Sequence, residues 1–336
     1  MKKLINKPED FISEMLEGLY AAHSDQIAPA DGKLTCLVSR RKKQDKVAIV
    51  TGGGSGHLPL FLGYVGAGML DGCAVGGVFQ SPSADDMLTV TRAVEAGKGV
   101  LYILGNYNGD KYNFKMAGEM ADMEYDIETA SVIAGDDVAS GPPTDPGQVG
   151  IRRGVAGIFF VYKCAGAAAE EGMNLAQVKE IAQRTAHNVR TMGVALSPCT
   201  VPRVGKPSFT IAEDEMELGM GIHGEPGIKR CKMLTANEVV EEIMGKILPD
   251  LPFRAGDEVS VLVNGLGATP LEEQYLVYGQ VSRRLRDAGI HVYRTYVGEF
   301  ATSLEMAGLS ISVCKLDDEL KRLLDKPANT PFFKQI

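Results

Sequence analysis

One stretch constrains the fold more than any other: the apolar, β-branched run Lys46 to Val50 continues through Thr-Gly-Gly-Gly-Ser-Gly and ends on His57. The run has the composition of a buried strand. The glycines at 52, 53, 54 and 56 predict a turn with positive φ and accessible backbone N–H groups, which a ligand oxygen can approach closely. A tight turn without a ligand explains the glycines alone equally well. The histidine favours a chemical role, because a titratable side chain on such a turn more often serves chemistry than packing.

A second turn of the same kind predicts the fold class. The run from Gly99 to Leu104 is typical of a strand, and Gly-Asn-Tyr-Asn-Gly leads from it to Asp110. Strands that each end on a polar side chain are typical of an α/β sheet, whose ligands collect at the carboxyl edge. Composition and periodicity predict further strands over residues 72–79, 128–133, 258–264, 291–296 and 309–316. They predict helices over residues 8–23, 58–68, 85–96 with Ser83 as cap, 113–123, 175–191, 239–247, 271–288 and 300–306. Residues 158–169 form an alanine-rich apolar segment.

The length and a change of character near Gly193 predict two domains. A chain of 336 residues is long enough for two cores, and helical periodicity disappears after residue 192. We expect two α/β domains, residues 1–187 and 188–336, each a mainly parallel or mixed sheet flanked by helices. The second carries its own histidine among glycines, His223 in Gly-Ile-His-Gly-Glu-Pro-Gly.

Composition excludes several classes of function. The net charge of −8 argues against a nucleic-acid partner, and no apolar run is long enough to span a membrane. The six cysteines form no close pair, which excludes a CxxC zinc or redox motif and indicates a reducing compartment. The N-terminus lacks the apolar segment of a signal peptide. We therefore expect a cytoplasmic enzyme or binding protein.

His57, Asp110 and His223 are the candidate functional residues, because each lies in a glycine-rich turn. Such a trio suits proton transfer, covalent attachment or metal binding, and a binding protein for a small polar solute is the rival class. Metal binding is the weakest of these, since neither histidine has a helical HxxxH partner. The chain has neither a GxxxxGK[ST] loop nor a dinucleotide-binding fingerprint, so we expect no nucleotide site. The pair Arg152 and Arg153 fits a phosphate clamp or a solvated surface pair.

At these residues the sequence resembles the K subunit, the ketose-binding part, of the dihydroxyacetone kinase family. The matching segments extend over nearly the whole chain in the family's order. They are GGGSGH at 52–57, NY-x-GD at 106–110, IHGEPG at 222–227, NGLGATPL at 264–271 and TSLEMAG at 302–308.

The resemblance implies a ketose kinase subunit that is a two-domain homodimer. It implies that His223 adds to the ketone of the substrate as a hemiaminal, that His57 hydrogen-bonds the substrate, and that Asp110 accepts the proton of the phosphorylated hydroxyl. The backbone of Gly53, Gly54, Ser55 and Gly56 can bind the remaining oxygens. The chain itself would hold no cofactor and no metal, because ATP, or ADP with Mg, would sit on a separate helical L subunit.

Two residues depart from the commoner family pattern and bear on the substrate. The usual GHEP and KNY segments read here as His57-Leu58-Pro59 after Gly56, and Gly105-Asn106-Tyr107. Both departures resemble the branch that acts on erythrulose, a four-carbon ketose. A third interpretation is a sensor paralogue that binds the ketose only to activate a transcription factor. The presence of His57, Asp110 and His223 favours the enzyme over the sensor, although a sensor can also keep its binding residues.

Overall fold

A computed structural model describes residues 2–41, 43–146 and 148–336. Its first sheet has six strands, in the order β1-β2-β4-β3-β5-β6. These are β1 (Ile27–Ala30), β2 (Lys33–Ser39), β3 (Lys46–Ser55), β4 (Gly72–Val78), β5 (Gly97–Gly105) and β6 (Thr129–Ala134). Strands β4, β3, β5 and β6 are parallel, whereas β2 pairs antiparallel with both β1 and β4.

The second sheet also has six strands, in the order β11-β10-β12-β7-β8-β9. These are β7 (Val189–Ala195), β8 (Glu215–Leu218), β9 (Lys229–Lys232), β10 (Glu258–Gly265), β11 (His291–Glu299) and β12 (Gly308–Leu316). Only β10 and β11 are parallel, and the other neighbours are antiparallel. A ribbon of β13 (Ala328–Asn329) and β14 (Lys334–Gln335) follows. The expected α/β class with mixed sheets is confirmed.

Eight helices flank the sheets in the described residues. They are α1 (Phe11–Ala22), α2 (Ala84–Val94), α3 (Asn108–Tyr125), α4 (Ile158–Glu170), α5 (Leu175–Asn188), α6 (Ala236–Asp250), α7 (Leu271–Asp287) and α8 (Asp318–Leu324). Ser83 caps α2 as predicted, since its hydroxyl accepts a hydrogen bond from the Asp86 N–H. Asn174 and Thr235 cap α5 and α6 with reciprocal capping boxes.

Three segments differ from the sequence expectations. Residues 58–68 contain only a 3₁₀ turn at Leu62–Tyr64, because Gly66 and Gly68 have positive φ and lie directly against the backbone of residues 327–330. Residues 300–306 form no helix, since their backbone groups bind other segments of the chain. Helix α5 ends at Asn188 and not at residue 191, and the following seven residues form the buried strand β7. Strands β1, β2, β8, β9, β13 and β14 and helices α4 and α8 were not predicted.

The largest hydrophobic cluster joins the two sheets. It contains nearly all of α4 and side chains from both β3 and β12. Helix α4 packs on β3, α5 and α8, and α5 packs on β5, β6 and β12. All strands of the first sheet precede residue 135 and all strands of the second follow residue 188. Both halves of the chain contribute to this cluster. The domain boundary at 187/188 stays a prediction.

Candidate active site

The glycines before His57 lie in a strand, which corrects the turn expected there. Strand β3 continues through Ser55, and only Gly56 has a positive φ, +101°. A Cβ on Gly53 would lie 2.0 Å from the Phe61 ring, and a Cβ on Gly54 would lie 2.6 Å from the backbone nitrogen of Gln80. These positions therefore require glycine because of close packing and not because of turn geometry.

Strand β3 is paired on one side only where it approaches the site. Its ladder with β5 ends at Val50, whereas its ladder with β4 continues to Ser55. Beyond Val50 no residue of β3 is paired with a residue of β5. Ser55 itself points inward, and its hydroxyl donates to the Gly76 carbonyl at 2.8 Å.

His57 is fully buried, and the other half of the chain determines its tautomer. Its Nδ1 lies 2.7 Å from the Thr302 carbonyl oxygen, so Nδ1 carries the proton and donates it there. The backbone N–H of Thr302 donates to the His57 carbonyl, and that of Leu304 donates to the Gly56 carbonyl. Asn264, at the end of β10, holds the same segment by accepting from Phe300 N and Ala301 N at 2.8 Å each.

The remaining nitrogen of His57 is a buried acceptor without a partner. Nε2 is shielded from solvent and has no hydrogen bond. Burial, helped by the nearby charge of His223, lowers the pKa of His57 to about 3. The ring is therefore neutral near pH 7, and Nε2 can only accept.

His223 lies in the loop between β8 and β9 and is oriented by Glu225. Its Nδ1 is 2.8 Å from Glu225 Oε1, and its backbone N–H donates to Oε2 of the same carboxylate at 2.9 Å. Burial on its own would raise the pKa of Glu225, but the hydrogen bond and charge of His223 lower that pKa to about 2. The carboxylate is thus an acceptor for the Nδ1 proton, which leaves Nε2 of His223 with its lone pair. Glu225 was missed as a site residue, although its position two residues after a histidine was a usable signal.

Aromatic rings surround the two histidines. The rings of His57 and His223 meet at 4.7 Å between centroids, nearly at right angles. Phe79 stacks on His57 at 4.8 Å, and Tyr107 meets His223 edge-on, also at 4.8 Å. Phe79 has a φ of 57°, an uncommon conformation for a side chain of this size. The two imidazoles therefore contact mainly aromatic rings, apart from the Glu225 carboxylate.

Asp110 is in the first turn of α3, where a helix favours negative charge. It is only 5% exposed, and its Oδ1 has no hydrogen-bond partner. Burial raises its pKa to about 6, although a hydrogen bond from Ser81 and the charge of His223 act in the opposite direction. A carboxyl with such a pKa suits a general base near neutral pH. Ser81, in the loop before α2, was not predicted from the sequence as a site residue.

The arginine pair forms no exposed phosphate clamp, because each guanidinium is held by a carboxylate. Arg152 binds Asp250 through two nitrogens, and Arg190 binds the same carboxylate. Arg153 binds Asp137 at 2.8 Å through Nε. In the part of the chain that the structure describes, no group of three His, Cys, Asp or Glu side chains is arranged to hold a metal ion. Nor does any described helix combine the length and the apolar character that crossing a membrane requires.

The fold is that of an α/β protein with two mixed sheets, and its site combines a histidine from each half of the chain. The Dak1 domain model matches residues 17–332. The chain belongs to the Dak1 family.

Relatives and solved structures agree with this assignment. The chain is 44% identical to a PTS-dependent dihydroxyacetone kinase subunit DhaK of Listeria innocua, over 99% of both chains. It is 44% identical to the D-erythrulose kinase of Mycolicibacterium smegmatis, over 100% of this chain and 57% of that protein. Its fold matches the dihydroxyacetone kinase of C. freundii with a TM-score of 0.90 at 31% identity, over 99% of this chain and 61% of that one. It also matches the operon co-activator Dha-DhaQ with a TM-score of 0.89 at 32% identity, over 96% and 98%.

Proposed function

We propose that this chain is the ketose-binding subunit of a dihydroxyacetone kinase-like enzyme and binds its substrate as a hemiaminal on His223. The main support is the contact between the imidazoles of His57 and His223. In each ring Nδ1 is hydrogen-bonded, and Nε2 has no hydrogen-bond partner among the described residues. One ring is a buried acceptor and the other is a more exposed nucleophile. Because only aldehydes and ketones can be trapped by such a nucleophile, reactivity would select carbonyl sugars over glycerol.

The addition balances with the groups at hand. The lone pair of His223 Nε2 forms a bond to the ketone carbon, and the carbonyl π pair moves to oxygen. That oxygen takes up a proton from solvent, while the Nδ1 proton passes to Glu225 and from there to water. The adduct is therefore heavier by one intact sugar and loses no water. His57 Nε2 is suited to accept a hydrogen bond from a hydroxyl of the bound sugar.

Asp110 is proposed as the base in the second step. Its unpaired Oδ1 is free to accept the proton of the terminal hydroxyl as the phosphoryl group arrives. The nucleotide, ATP or ADP with Mg, through which the phosphoryl group arrives would be carried by a separate L subunit, since no phosphate-binding loop occurs in the sequence. Gly53, Gly54, Ser55 and Gly56 would offer backbone groups to the sugar along the side of β3 that lacks a strand partner. A cytoplasmic homodimer completes the proposal.

Erythrulose is the proposed substrate, with dihydroxyacetone as the competitor. Relatives named for each sugar are equally similar, at 44% identity, so the overall likeness does not choose between them. The choice depends on Leu58 and Gly105. A Cβ on Gly105 would be 3.1 Å from the Tyr107 ring, which in turn contacts His223. A lysine at this position would therefore alter the rim of the site beside the nucleophile.

A ketose sensor is the second candidate. The observation that favours it is the match to the co-activator Dha-DhaQ, which covers nearly the full length of the chain at 32% identity. Such a protein would bind the ketose and never pass it to a phosphoryl donor. Asp110 would then have no chemical task.

One experiment tests the proposal and separates the two candidates. The purified chain is incubated with dihydroxyacetone or erythrulose, without a reductant, and its intact mass is measured; we expect an increase of one sugar that His223→Ala abolishes. The same protein is then combined with an L subunit and ATP, and phosphorylation of the sugar is followed. We expect turnover with the partner and none without it. An adduct without turnover would establish the sensor, and a His223→Ala variant with unchanged ketose affinity would refute the hemiaminal.

A further inference from the structure

Arg153 connects the loop of His223 to the first half of the chain. Its Nη2 lies 2.7 Å from Asp137 Oδ2, and the same nitrogen donates to the Gly219 carbonyl at 3.0 Å. Asp137 follows β6, is nearly inaccessible to solvent, and accepts a further hydrogen bond from the Ala139 N–H. Gly219 is the first residue after β8 and begins the loop that carries His223. One guanidinium therefore holds the beginning of this loop against a buried carboxylate.

The free end of the guanidinium approaches the partner of His223. A Cβ on Gly221 would lie 2.7 Å from Arg153 Nη1 and 2.2 Å from Glu225 Oε2. The two groups are consequently within about 5 Å of one another, because their separation cannot exceed the sum of those distances. Gly221 leaves this space free, and any side chain there would separate the positive group from the carboxylate. Nη1 has no hydrogen-bond partner among the described residues, Glu225 included.

We propose that Arg153 is a positioning residue that acts on His223 through Glu225. It fixes the loop through Gly219 and places a permanent positive charge behind the Glu225 carboxylate. Glu225 then holds the Nδ1 proton of His223, so that Nε2 faces the substrate with its lone pair. This inference depends on the proposed hemiaminal.

The sign of the electrostatic effect follows from the charges around His223. The titratable groups on the elements packed around it, directly or through Glu225, are His57, Tyr107, Asp110, Glu225, Arg153, Asp137 and Asp136. Glu225 places a negative charge beside His223, and the positive charge of Arg153 offsets part of it. Attack on a ketone requires a neutral imidazole, so the nucleophile depends on this balance of charges. Loss of Arg153 also removes the charged partner of Asp137, which adds to the negative charge in this region.

The test is the pH dependence of adduct formation, measured by intact mass on the full chain with dihydroxyacetone or erythrulose. For Arg153→Gln we expect the acid limb to move to higher pH by about 0.5–1 unit, as expected for the loss of one charge at this range in a partly solvated site. Arg230→Gln is the matched control. Arg230 pairs with Glu217, whose carboxylate accepts from the Gly227 N–H and so holds the other end of the loop. We expect its acid limb to coincide with that of the wild type.

Arg153→Lys separates charge from geometry and remains informative if Arg153→Gln does not fold. Lysine keeps the charge but cannot bind Asp137 and Gly219 together. We expect an acid limb within about 0.3 unit of the wild type and ketose affinity reduced by about 3- to 10-fold, the effect of one hydrogen bond. An acid limb of Arg153→Gln equal to that of Arg230→Gln, or ketose binding by Arg153→Lys as tight as in the wild type, would overturn the inference. A wild-type chain that forms no adduct would instead overturn the proposed function.

Discussion

The two histidines of the site are held in opposite ways. His57 has no solvent exposure, and its immediate main chain is paired with residues 302–304 from the far end of the chain. His223 keeps 21% of its side chain exposed and lies in a glycine-rich loop held by Glu225 and Arg153. One ring is held by a backbone carbonyl and the other by a carboxylate.

The difference shows how one residue type can serve two tasks. A backbone carbonyl at Nδ1 and complete burial make His57 a neutral acceptor, whose protonation is strongly disfavoured. A carboxylate at Nδ1 orients the second nitrogen of His223, and partial exposure leaves that nitrogen accessible. Environment alone therefore separates a substrate-binding histidine from a candidate nucleophile.

The largest effect is expected for the base, Asp110, whose role we distinguish from those of the two histidines. We expect Asp110→Asn to lower kcat in the reconstituted pair by about 10²- to 10⁴-fold, because it removes a positioned base. The hemiaminal on His223 should form as in the wild type. Because burial raises the pKa of Asp110 to about 6, kcat of the wild type should fall as pH decreases below that value. Steady-state kinetics beside intact-mass measurement check this, and a variant that loses the adduct would contradict the division of roles.

The next largest effect concerns the preference for a longer or shorter sugar and the side of the site that determines it. We expect kcat/KM for erythrulose to exceed that for dihydroxyacetone by about 10- to 200-fold, the range given by one small group in a fitted pocket. Gly105→Lys, on the His223 side, should reverse the preference. Leu58→Glu, on the His57 side, tests the other departure, and Gly105→Ala controls for pressure on Tyr107. Kinetics with D-erythrulose, L-erythrulose and dihydroxyacetone decide it, and an equal or better value for dihydroxyacetone refutes the prediction.

A smaller effect is expected at the buried histidine. His57→Asn should keep the covalent adduct and weaken ketose affinity by about 10-fold, since it removes one hydrogen bond to the sugar and leaves the nucleophile in place. His223→Asn is the matched variant and should give no adduct. Titration of adduct formation with either sugar measures both. Complete loss of the adduct in His57→Asn would show that the two rings do not divide the work in this way.

The smallest expected effect is on stability. The carboxyl of Asp110 titrates at about 6 in the folded protein, and at about 4 in an unfolded chain. Between these pH values the unfolded chain releases its proton first, so the acid destabilises the fold progressively as pH rises. We expect Asp110→Asn to raise the free energy of unfolding by about 1–3 kcal/mol at pH 7, with a much smaller gain at pH 4. Urea unfolding at both pH values is the measurement, and a gain that is larger at pH 4 would contradict it.

Local patterns in the sequence determined much of this protein. Alternation and β-branched runs were enough to predict β3, β5 and β10, because a buried strand needs apolar residues wherever its partners lie. Ser83 identified the start of α2 because a cap acts within one helical turn. Motifs that resemble the family singled out His57, Asp110 and His223 before any contact between them was known.

Tertiary structure alone decided how these residues are arranged and used. The tautomer of His57 depends on a carbonyl 245 residues further along the chain, which no local pattern can reveal. The glycines of β3 read as a turn because local sequence does not show that Phe61 and Gln80 pack against them. Residues 58–68 and 300–306 looked helical because their apolar spacing fits a helix. In the first, Gly66 and Gly68 lie against residues 327–330, and in the second the backbone N–H groups donate to other segments. Long-range hydrogen bonds and close packing override local propensity, since they remove the buried polar groups and voids that propensity leaves unresolved.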